Sequence, residues 1–279
     1  MRTALIGLAL LWSSLAHAAI IIVPDQYPTI QAAIDAATSF DTIQVRPGLY
    51  QEALVIGNKS VVIEGLGGDP AIIPEGLTQK GLVMVGDVAQ LTLRDINIFG
   101  GRIGVFAKVY KVDLERVGIS GSLKGSRLEA TYLSVTDSYF NNTWSTGLTA
   151  SAPSPHLVRV TASRNRREGA KITNRTRNGI TGTGMVEDCV FEENGQNGLV
   201  YVDRYSSGIT GCEANRNGKA GISVVSKLNG VSLGDNQADD NDTYGFRLRG
   251  NQLLYTETDL INAGNSATGN GVQNFYIQP

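Results

Sequence analysis

Apolar and polar residues alternate in five short stretches of the second half of the chain, and each stretch begins directly after a glycine. The stretch after Gly147, for example, places Leu148 and Ala150 at alternate positions. Successive side chains of a β-strand point to opposite faces, so this alternation predicts strands with one face in a core and one in solvent. The five glycines are Gly147, Gly169, Gly198, Gly221 and Gly245.

The turn before each of these strands carries an asparagine, four or five residues ahead of the glycine. The asparagines are Asn142, Asn165, Asn194, Asn217 and Asn241. Successive glycines are 22, 29, 23 and 24 residues apart, which is too long for a hairpin and fits one coil of a solenoid. Strands in such coils stack in parallel, and parallel crossovers are right-handed. The repeat therefore predicts an all-β fold, a single-stranded right-handed parallel β-helix of about 10–11 coils.

The first 18 residues have the composition of a secretory signal peptide. Arg2 precedes an apolar run from Leu5 to Leu15, and Ala16-His17-Ala18 has the small-x-small form of a signal-peptidase site. We expect cleavage after Ala18 and a secreted, periplasmic or cell-surface location. The apolar run is too short to span a bilayer, so no membrane span is expected. Residues 19–279 are then predicted to form a single β-helix domain.

A short helix is predicted near the start of this domain. Residues 29–37 have apolar positions at helical spacing, directly after Pro28. A solenoid must cover the open hydrophobic end of its core, and a helix at this position is able to do so. We therefore predict that residues 29–37 form an N-terminal capping helix.

Residues 23–65 carry a pattern that is shared with a known group of proteins. The segment contains Thr29-Ile30-Gln31-Ala32-Ala33-Ile34-Asp35-Ala36-Ala37, then Asp41-Thr42-Ile43, Pro47-Gly48-Leu49-Tyr50 and Glu52. It resembles the opening of the pectin-lyase-like superfamily, which includes lyases, esterases, epimerases and β-helix proteins with no known chemistry. The resemblance implies the fold. The Gln-Asp-Thr-Leu motif of methylesterases, the Gly-His-Gly of polygalacturonases and the Asp-Pro-His-Asp of epimerases are absent from the sequence, which disfavours those three activities.

The overall charge is nearly balanced, but one segment is strongly basic. The chain carries 24 basic and 26 acidic side chains, which argues against nonspecific nucleic-acid binding by the whole protein. Between residues 156 and 177 a single acid, Glu168, stands among seven basic residues: Arg159, Arg164, Arg166, Arg167, Lys171, Arg175 and Arg177. Such an excess attracts polyanions; the alternative is that these charges only keep the coil surface soluble.

Alignment of the coils on their glycines groups residues that we expect to share a surface. In the superfamily, the strand after the glycine and the turn before it often line the sugar groove, which the resemblance implies for this chain. Guanidinium groups pair with carboxylates, and an aromatic ring stacks on the apolar face of a sugar. We therefore predict a site for an acidic polysaccharide with these binding residues: Trp144, Arg166, Arg167, Gln196, Lys219, Tyr244 and Arg247.

Catalysis at this site would take the form of β-elimination. That reaction needs a cation at the sugar carboxylate, a base for the C5 proton and a donor to the leaving oxygen. Lys171 is the candidate base, because Arg166 and Arg167 disfavour its protonated form, and Glu168 or Tyr244 is the candidate for assisting proton transfer. Hydrolysis is disfavoured, because it needs paired carboxylates. The alternative is a non-catalytic scaffold or glycan-binding module, since the sequence contains no clear catalytic motif.

A calcium ion is the one cofactor that the sequence suggests. Asp239, Asp240 and Asp242 lie in one loop and supply the oxygen ligands that Ca²⁺ prefers. Their spacing matches no known calcium loop, and a solvated turn is the alternative. Cys189 and Cys212 each lie five residues before a repeat asparagine, so we expect them to stack on neighbouring coils. They form either a disulfide or a pair of buried thiols.

The last repeat, near Phe275, has no amphipathic cap behind it in the sequence. An uncovered coil is a pairing edge, so weak end-to-end self-association is expected unless the loop of residues 251–259 covers it. The sequence leaves open whether the loops 66–79 and 118–131 cover or complete the groove.

Overall fold

The computed structural model describes residues 18–74, 79–226, 230–250 and 255–278. The signal segment lies outside the described residues except for Ala18, so export stays a prediction. Residues 75–78 and 251–254, which are parts of two predicted loops, also lie outside the described residues. No helix among the described residues is long and apolar enough to cross a membrane.

The described part of the chain consists mainly of strands, with two short helices. The helices are α1 (Ile30–Ala36) and α2 (Glu257–Asn262). The strands are β1 (Ile20–Val23), β2 (Thr42–Val45), β3 (Leu49–Tyr50), β4 (Leu54–Ile56), β5 (Val61–Gly65), β6 (Ala71–Ile72), β7 (Lys80–Phe99), β8 (Ile103–Ser120), β9 (Ser126–Glu129), β10 (Tyr132–Thr136), β11 (Tyr139–Asn141), β12 (Leu148–Ala152), β13 (Ser154–Val158), β14 (Ala170–Asn174), β15 (Met185–Glu187), β16 (Leu199–Asp203), β17 (Gly208–Thr210), β18 (Ile222–Ser226), β19 (Ser232–Gly234), β20 (Tyr244–Arg249) and β21 (Gln273–Gln278).

These strands stack as a parallel β-helix of about 10 turns, which confirms the predicted fold. One face consists of β9, β12, β14, β16, β18, β20 and β21, each paired in parallel with the next. A second face contains β10, β13, β15, β17 and β19, paired in the same manner. Each coil therefore contributes one strand to each face, and the core lies between the faces.

The alternation of apolar residues sets the register of the first face. Leu148, Ala170, Leu199 and Ile222 are direct partners on successive strands, and all four side chains are fully buried. Burial of a Leu or Ile side chain stabilises the folded state by about 1.5–3 kcal/mol. A one-residue slip of any strand would expose its whole apolar set, so the register is strongly specified.

A ladder of buried asparagine side chains runs along one turn of the solenoid. Asn165 Oδ1 accepts the Thr143 backbone N–H at 3.0 Å, and Asn194 Oδ1 accepts both the backbone N–H and the Nδ2 of Asn165 at 3.0 Å. The ladder continues through Asn217, Asn241 and Asn270. It satisfies turn groups that would otherwise be orphaned inside the protein.

The prediction that Asn142 is the first residue of this ladder is wrong. Thr143 occupies the ladder position in that coil, and its Oγ1 lies 2.8 Å from Asn165 Oδ1. Asn142 instead takes a left-handed conformation (φ 56°), as Arg164 and Glu193 do one position before their ladder asparagines. Asparagine tolerates that conformation well, which explains its presence just outside the ladder.

The predicted capping helix is present, one residue shorter at each end. Thr29 is its N-cap and accepts the Ala32 N–H at 3.1 Å, while the Glu52 carboxylate accepts the N–H groups of Ile30 (2.9 Å) and Gln31 (2.8 Å). A carboxylate is favourable at a helix N-terminus. The helix packs against β1, β2 and β4, with Ile30, Ala33 and Ile34 buried.

The two cysteines are free, buried thiols on neighbouring coils. Cys189 Sγ accepts the Val160 N–H at 3.4 Å, and Cys212 donates its own N–H to Asn236 Oδ1 at 3.0 Å. Hydrogen bonding with Cys189 and burial both raise the pKa of the Cys212 thiol. Of the two readings that the sequence allowed, the structure has the stacked pair of core thiols.

The sequence did not predict helix α2. Its start carries a capping box, in which Thr256 and Asp259 bond each other's backbone N–H groups, and its Leu260 is buried. End-to-end association through the last coil stays a prediction.

Candidate functional site

A groove of about 470 Å³ lies on the face built by β9, β12 and β14. We call it the basic groove and define it by its charged, hydroxyl and aromatic lining: Phe106, Lys124, Ser126, Arg127, Glu129, Ser145, Thr146, Thr149, Ser151, Arg167, Glu168, Lys171, Thr173 and Arg175. Five of these side chains are cationic and two are anionic. Sequence analysis placed three of them in a common site, namely Arg167, Glu168 and Lys171.

The register of the strands creates the groove. Phe106, Arg127, Thr149 and Lys171 are direct partners on successive coils, and all four point outward from the core. Adjacent strands are about 4.8 Å apart, so this row covers roughly 14 Å along the solenoid. The row continues with Val200, Ser223 and Arg247 on the next three strands.

Glu129 holds two of the groove cations in place. Its Oε1 accepts the Arg127 Nε at 2.9 Å and the Arg127 Nη2 at 2.6 Å, and its Oε2 lies 3.5 Å from the Arg175 guanidinium. The Glu129 side chain is only 15% exposed. Burial alone raises the pKa of Glu129, but the Arg127 hydrogen bond and the charges of Arg127, Arg175 and Arg177 together hold that pKa below its ordinary value.

We expect Glu129→Gln to lower the free energy of unfolding at pH 7 by about 1 kcal/mol, because the ion pairs with Arg127 and Arg175 are lost. The folded-state pKa of Glu129 is depressed, so its stabilisation is present above the unfolded-state pKa of about 4.3 and is lost as pH falls through the folded-state value. The difference between wild type and variant should therefore shrink below about pH 4. Urea unfolding over a pH series measures this. Glu187→Gln, at a carboxylate with no ion pair among the described residues, is the control; an equal effect of the two variants would contradict the assignment.

Glu168 lies at the other side of the groove and is also engaged. It accepts the Thr146 hydroxyl at 2.7 Å, and the Arg167 Nε lies 3.8 Å from the same oxygen. Its side chain is 12% exposed. Glu129 pairs with Ser151 on the next coil, and Ser151 pairs with Thr173 on the coil of Glu168. Thr173 is five residues after Glu168, so the two carboxylates are separated by two coils and by five residues along the strand direction. They do not form the close pair that glycoside hydrolysis requires.

Lys171, like Lys124, is a groove cation that has no ion pair with any carboxylate of the described residues. It lies exposed on β14 between Thr149 and Val200. Within the described parts of the chain, its ammonium has no carboxylate at ion-pair distance, whereas Arg127, Arg167 and Arg175 each contact Glu129 or Glu168. The ammonium is thus available to a bound ligand.

The basic segment 156–177 is not one continuous patch, contrary to the sequence-based expectation. Arg159 makes a two-pronged contact with Asp137 (2.6 and 2.9 Å), and Arg164 binds Glu193 at 2.8 Å. A coil of this length turns through several corners, so consecutive cations point in different directions. Only Arg167, Lys171 and Arg175 of this segment line the basic groove.

Trp144 and Arg166 lie in a separate depression next to the groove. Arg166 Cζ is 5.7 Å from the centroid of the Trp144 ring. The depression has a volume of about 240 Å³ and is lined by Asn142, Thr143, Trp144, Arg164, Asn165 and Arg166. The prediction that Trp144 and Arg166 share one surface with Lys171 is therefore wrong in detail, because a coil corner separates them.

The remaining predicted binding residues lie further along the solenoid. Gln196 and Lys219 follow Arg167 on the next two coils through backbone hydrogen bonds of 3.0 and 3.1 Å, and neither lines the basic groove. Tyr244 and Arg247 lie three coils beyond Lys171, roughly 14 Å away. There Arg247 Cζ is 5.8 Å from the Tyr244 ring. The structure therefore excludes Tyr244 as a proton donor beside Lys171.

Arg127 and Glu129 were not predicted as site residues from the sequence, and Arg175 was predicted only as part of the basic segment 156–177. Gly125 stands 22 residues before Gly147 and opens β9, where Arg127 and Glu129 alternate with buried residues as in the later repeats. The asparagine pattern does not mark this coil, because Ser122 holds the ladder position in it. The Ser122 carbonyl accepts the Trp144 N–H, in the same way that the Thr143 carbonyl of the next coil accepts the Arg166 N–H. The loop 118–131 thus completes the groove, whereas no described residue of 66–79 lines it.

The aspartates proposed for calcium do not converge. Asp239 Oδ1 accepts the backbone N–H of Thr268 (2.7 Å) and lies 3.0 Å from its hydroxyl, while Asp239 Oδ2 accepts the Gln237 amide at 2.6 Å. Asp240 has a left-handed conformation at the corner (φ 54°). In the ranges that the structure describes, no group of three His, Cys, Asp or Glu side chains is arranged to hold a metal ion, and Asp239, Asp240 and Asp242 form no such group.

Several solved structures are similar to this chain. Pectate lyase Pel9A has 15% identity to this chain and a TM-score of 0.49. The match covers 78% of this chain and 59% of that enzyme. The A-module of Azotobacter vinelandii mannuronan C-5 epimerase AlgE4 has 14% identity and a TM-score of 0.45, with 90% and 92% of the two chains covered. The periplasmic alginate epimerase AlgG has 12% identity and a TM-score of 0.48, with 93% and 84% covered. At these identities the likeness concerns the fold alone.

The sequence matches none of the curated proteins with which it was compared. Residues 81–238, more than half of the chain, match the family described as "Right handed beta helix region". This range includes the strands and corners that build the basic groove. The chain belongs to the right-handed β-helix family.

Proposed function

We propose that this protein binds an acidic polysaccharide in the basic groove. One observation carries the proposal: the groove contains five cationic side chains and only two carboxylates. The chain as a whole has a slightly negative charge, so this positive charge is local to the groove. Its volume of about 470 Å³ lies within the range of ligand sites. The polymer would lie outside the cytoplasm, in line with the predicted signal segment.

The cations of the groove differ in how much they can offer a ligand. Glu129 takes two of the five N–H donors of Arg127 at short distances of 2.9 and 2.6 Å. The carboxylate contacts of Arg175 (3.5 Å) and Arg167 (3.8 Å) are longer. Guanidinium groups bind carboxylates through two parallel hydrogen bonds, so Arg167 and Arg175 are best suited to hold sugar carboxylates.

Phe106 supplies the apolar part of the groove. It closes the row Phe106–Arg127–Thr149–Lys171 at one end, and Lys80 Nζ lies 4.3 Å from its ring centroid. Sugar rings have apolar faces that pack on aromatic side chains, while the charged groups orient the polymer. This combination favours a charged sugar polymer over a simple inorganic anion.

The chemistry that Lys171 supports is β-elimination. Acting as the base, Lys171 would take the C5 proton of a uronate whose carboxylate is held by Arg167 or Arg175. The electron pair of that C–H bond then forms the C4–C5 double bond while the C4–O bond breaks, and the leaving oxygen takes a proton from solvent water, which reaches the open groove. Guanidinium groups at the carboxylate stabilise the negative charge that develops there.

A second candidate function is glycan binding without catalysis. Glu129 and Glu168 each contact a guanidinium and accept hydrogen bonds. Because both groove carboxylates are engaged in this way, neither is free to transfer a proton, which favours binding alone. Lys171 is then a binding residue, and the β-helix is a rigid exported scaffold.

Binding of acidic oligosaccharides to purified variants tests the proposal. Arg167→Gln and Arg175→Gln are each expected to weaken binding by about tenfold or more, because each removes a charge-assisted contact. Arg159→Gln is the matched control, since Arg159 belongs to the same basic segment but binds Asp137 away from the groove. Calorimetric titration measures the affinities. Equal weakening by all three variants would indicate nonspecific attraction and contradict a binding groove.

A further inference from the structure

The depression beside the basic groove has features of a ligand site of its own. We call it the Trp144 depression and define it by Asn142, Thr143, Trp144, Arg164, Asn165 and Arg166. The Trp144 side chain is 61% exposed, although burial of an indole strongly stabilises a folded protein. An exposed tryptophan beside a guanidinium offers a flat apolar face and a positive charge in one place.

One of the two arginines in this depression is available. Arg164 is held by Glu193, with its Nε 2.8 Å from the carboxylate. Arg166 has no carboxylate at ion-pair distance in the described residues, and its guanidinium lies against the Trp144 ring at 5.7 Å. The Asn165 side chain makes all its hydrogen bonds within the ladder and forms the floor of the depression. It has no free polar group for a ligand, so Trp144 and Arg166 are the residues that would contact one.

The Trp144 depression and the basic groove share a rim. Ser145 and Arg167 line the groove, and their chain neighbours Trp144 and Arg166 line the depression. Backbone hydrogen bonds tie the two coils together here, since Arg167 donates to the Ser145 carbonyl at 3.2 Å and Arg166 donates to the Thr143 carbonyl at 2.9 Å. One peptide step on each coil therefore separates the two sites.

We infer that the Trp144 depression is a second saccharide subsite for the polymer bound in the basic groove. The polymer leaves the groove across the rim of Ser145 and Arg167, stacks a sugar ring on Trp144 and places a carboxylate at Arg166. It therefore runs around the coil at this point and not along the solenoid axis. This inference rests on the proposed function, because it concerns the path of the same ligand.

The length dependence of binding tests this path. The probes are size-fractionated oligomers of galacturonate, mannuronate and glucuronate, from disaccharide to hexasaccharide, titrated by calorimetry. Trp144→Ala is expected to leave the affinity for the shortest bound oligomer unchanged and to lower it for the longer ones by about threefold to tenfold, the effect of one lost aromatic contact. Arg166→Gln is expected to show the same dependence on length. Tyr132→Ala, which removes another exposed aromatic residue on a different face, is the control.

The outcomes separate the inference from the proposed function. Wild-type binding without any effect of Trp144→Ala, or with an equal loss at every length, would overturn the second subsite and leave the groove proposal standing. No binding of any oligomer by the wild type would overturn both. A loss confined to the longer oligomers in both variants supports the path over the rim. Because Trp144 is exposed, its replacement is not expected to disturb folding, and far-ultraviolet circular dichroism checks this.

Discussion

Replacement of Asn194 by alanine is expected to lower the free energy of unfolding by about 3 to 5 kcal/mol. Asn194 is fully inside the ladder: its Oδ1 accepts two hydrogen bonds from Asn165, and its Nδ2 donates to the Ala162 carbonyl (2.9 Å) and to Asn217 Oδ1 (3.0 Å). Alanine removes all four contacts and leaves several buried polar groups with fewer partners. A buried donor or acceptor without a partner costs about 1–3 kcal/mol.

Asn142→Gly is the matched control for this prediction. Asn142 precedes the ladder position in its coil and has a φ of 56°, which glycine adopts readily. We expect urea unfolding, followed by far-ultraviolet circular dichroism, to give a near wild-type midpoint for Asn142→Gly and a much lower one for Asn194→Ala. Similar midpoints for the two variants would contradict the assignment of Thr143 as the first ladder residue.

Replacement of Lys171 has the largest effect expected on activity. If the protein is a lyase, Lys171→Ala and Lys171→Arg should both lower the rate of product formation by about 10²–10⁴-fold, which is the range for loss of a general base. Arginine keeps the positive charge but does not give up its proton in proteins, so Lys171→Arg should bind the polymer nearly as the wild type does. The ultraviolet absorbance of the unsaturated uronate product measures the rate.

The two Lys171 variants distinguish the competing functions. Full activity of Lys171→Arg would show that another group takes the proton. A wild-type protein that binds acidic polymers but releases no unsaturated product from any of them would establish the non-catalytic binding module. Arg159→Gln again serves as the control, because its contact with Asp137 lies away from the groove.

The parts of the fold that depend on local repeats could be predicted from the sequence. The glycine spacing and the alternation after Gly147 and Gly169 defined strands β12 and β14 and their exact partners, because one face of each strand is buried and the register cannot slip. The Ile30–Ala36 helix was recognisable from its apolar spacing, although Thr29, which was predicted to lie inside the helix, is its N-cap. Helix α2 was missed, since its short apolar pattern resembles that of a loop with Leu260 as its one buried residue.

The candidate site was predicted only in part, because its residues come together through the way the coils turn. Arg167, Glu168 and Lys171 were grouped correctly on one coil, whereas Trp144 and Arg166 lie beyond a corner that the sequence does not mark. The partners that decide the electrostatics come from other coils, as Glu129 does for Arg175 across 46 residues of chain. No local pattern contains that pairing. It follows from the stacking of β9, β12 and β14.

The claim that the basic groove engages an acidic glycan is tested most directly by calorimetric titration with matched ligands. Each acidic oligosaccharide is compared with its carboxyl-reduced form, which has the same sugar backbone without the charges. We predict that the acidic form binds, that its affinity falls with rising salt, and that Arg167→Gln and Arg175→Gln abolish most of the difference between the two forms. Equal affinity for acidic and carboxyl-reduced oligomers, or a difference that survives both substitutions, would contradict the assignment of this groove.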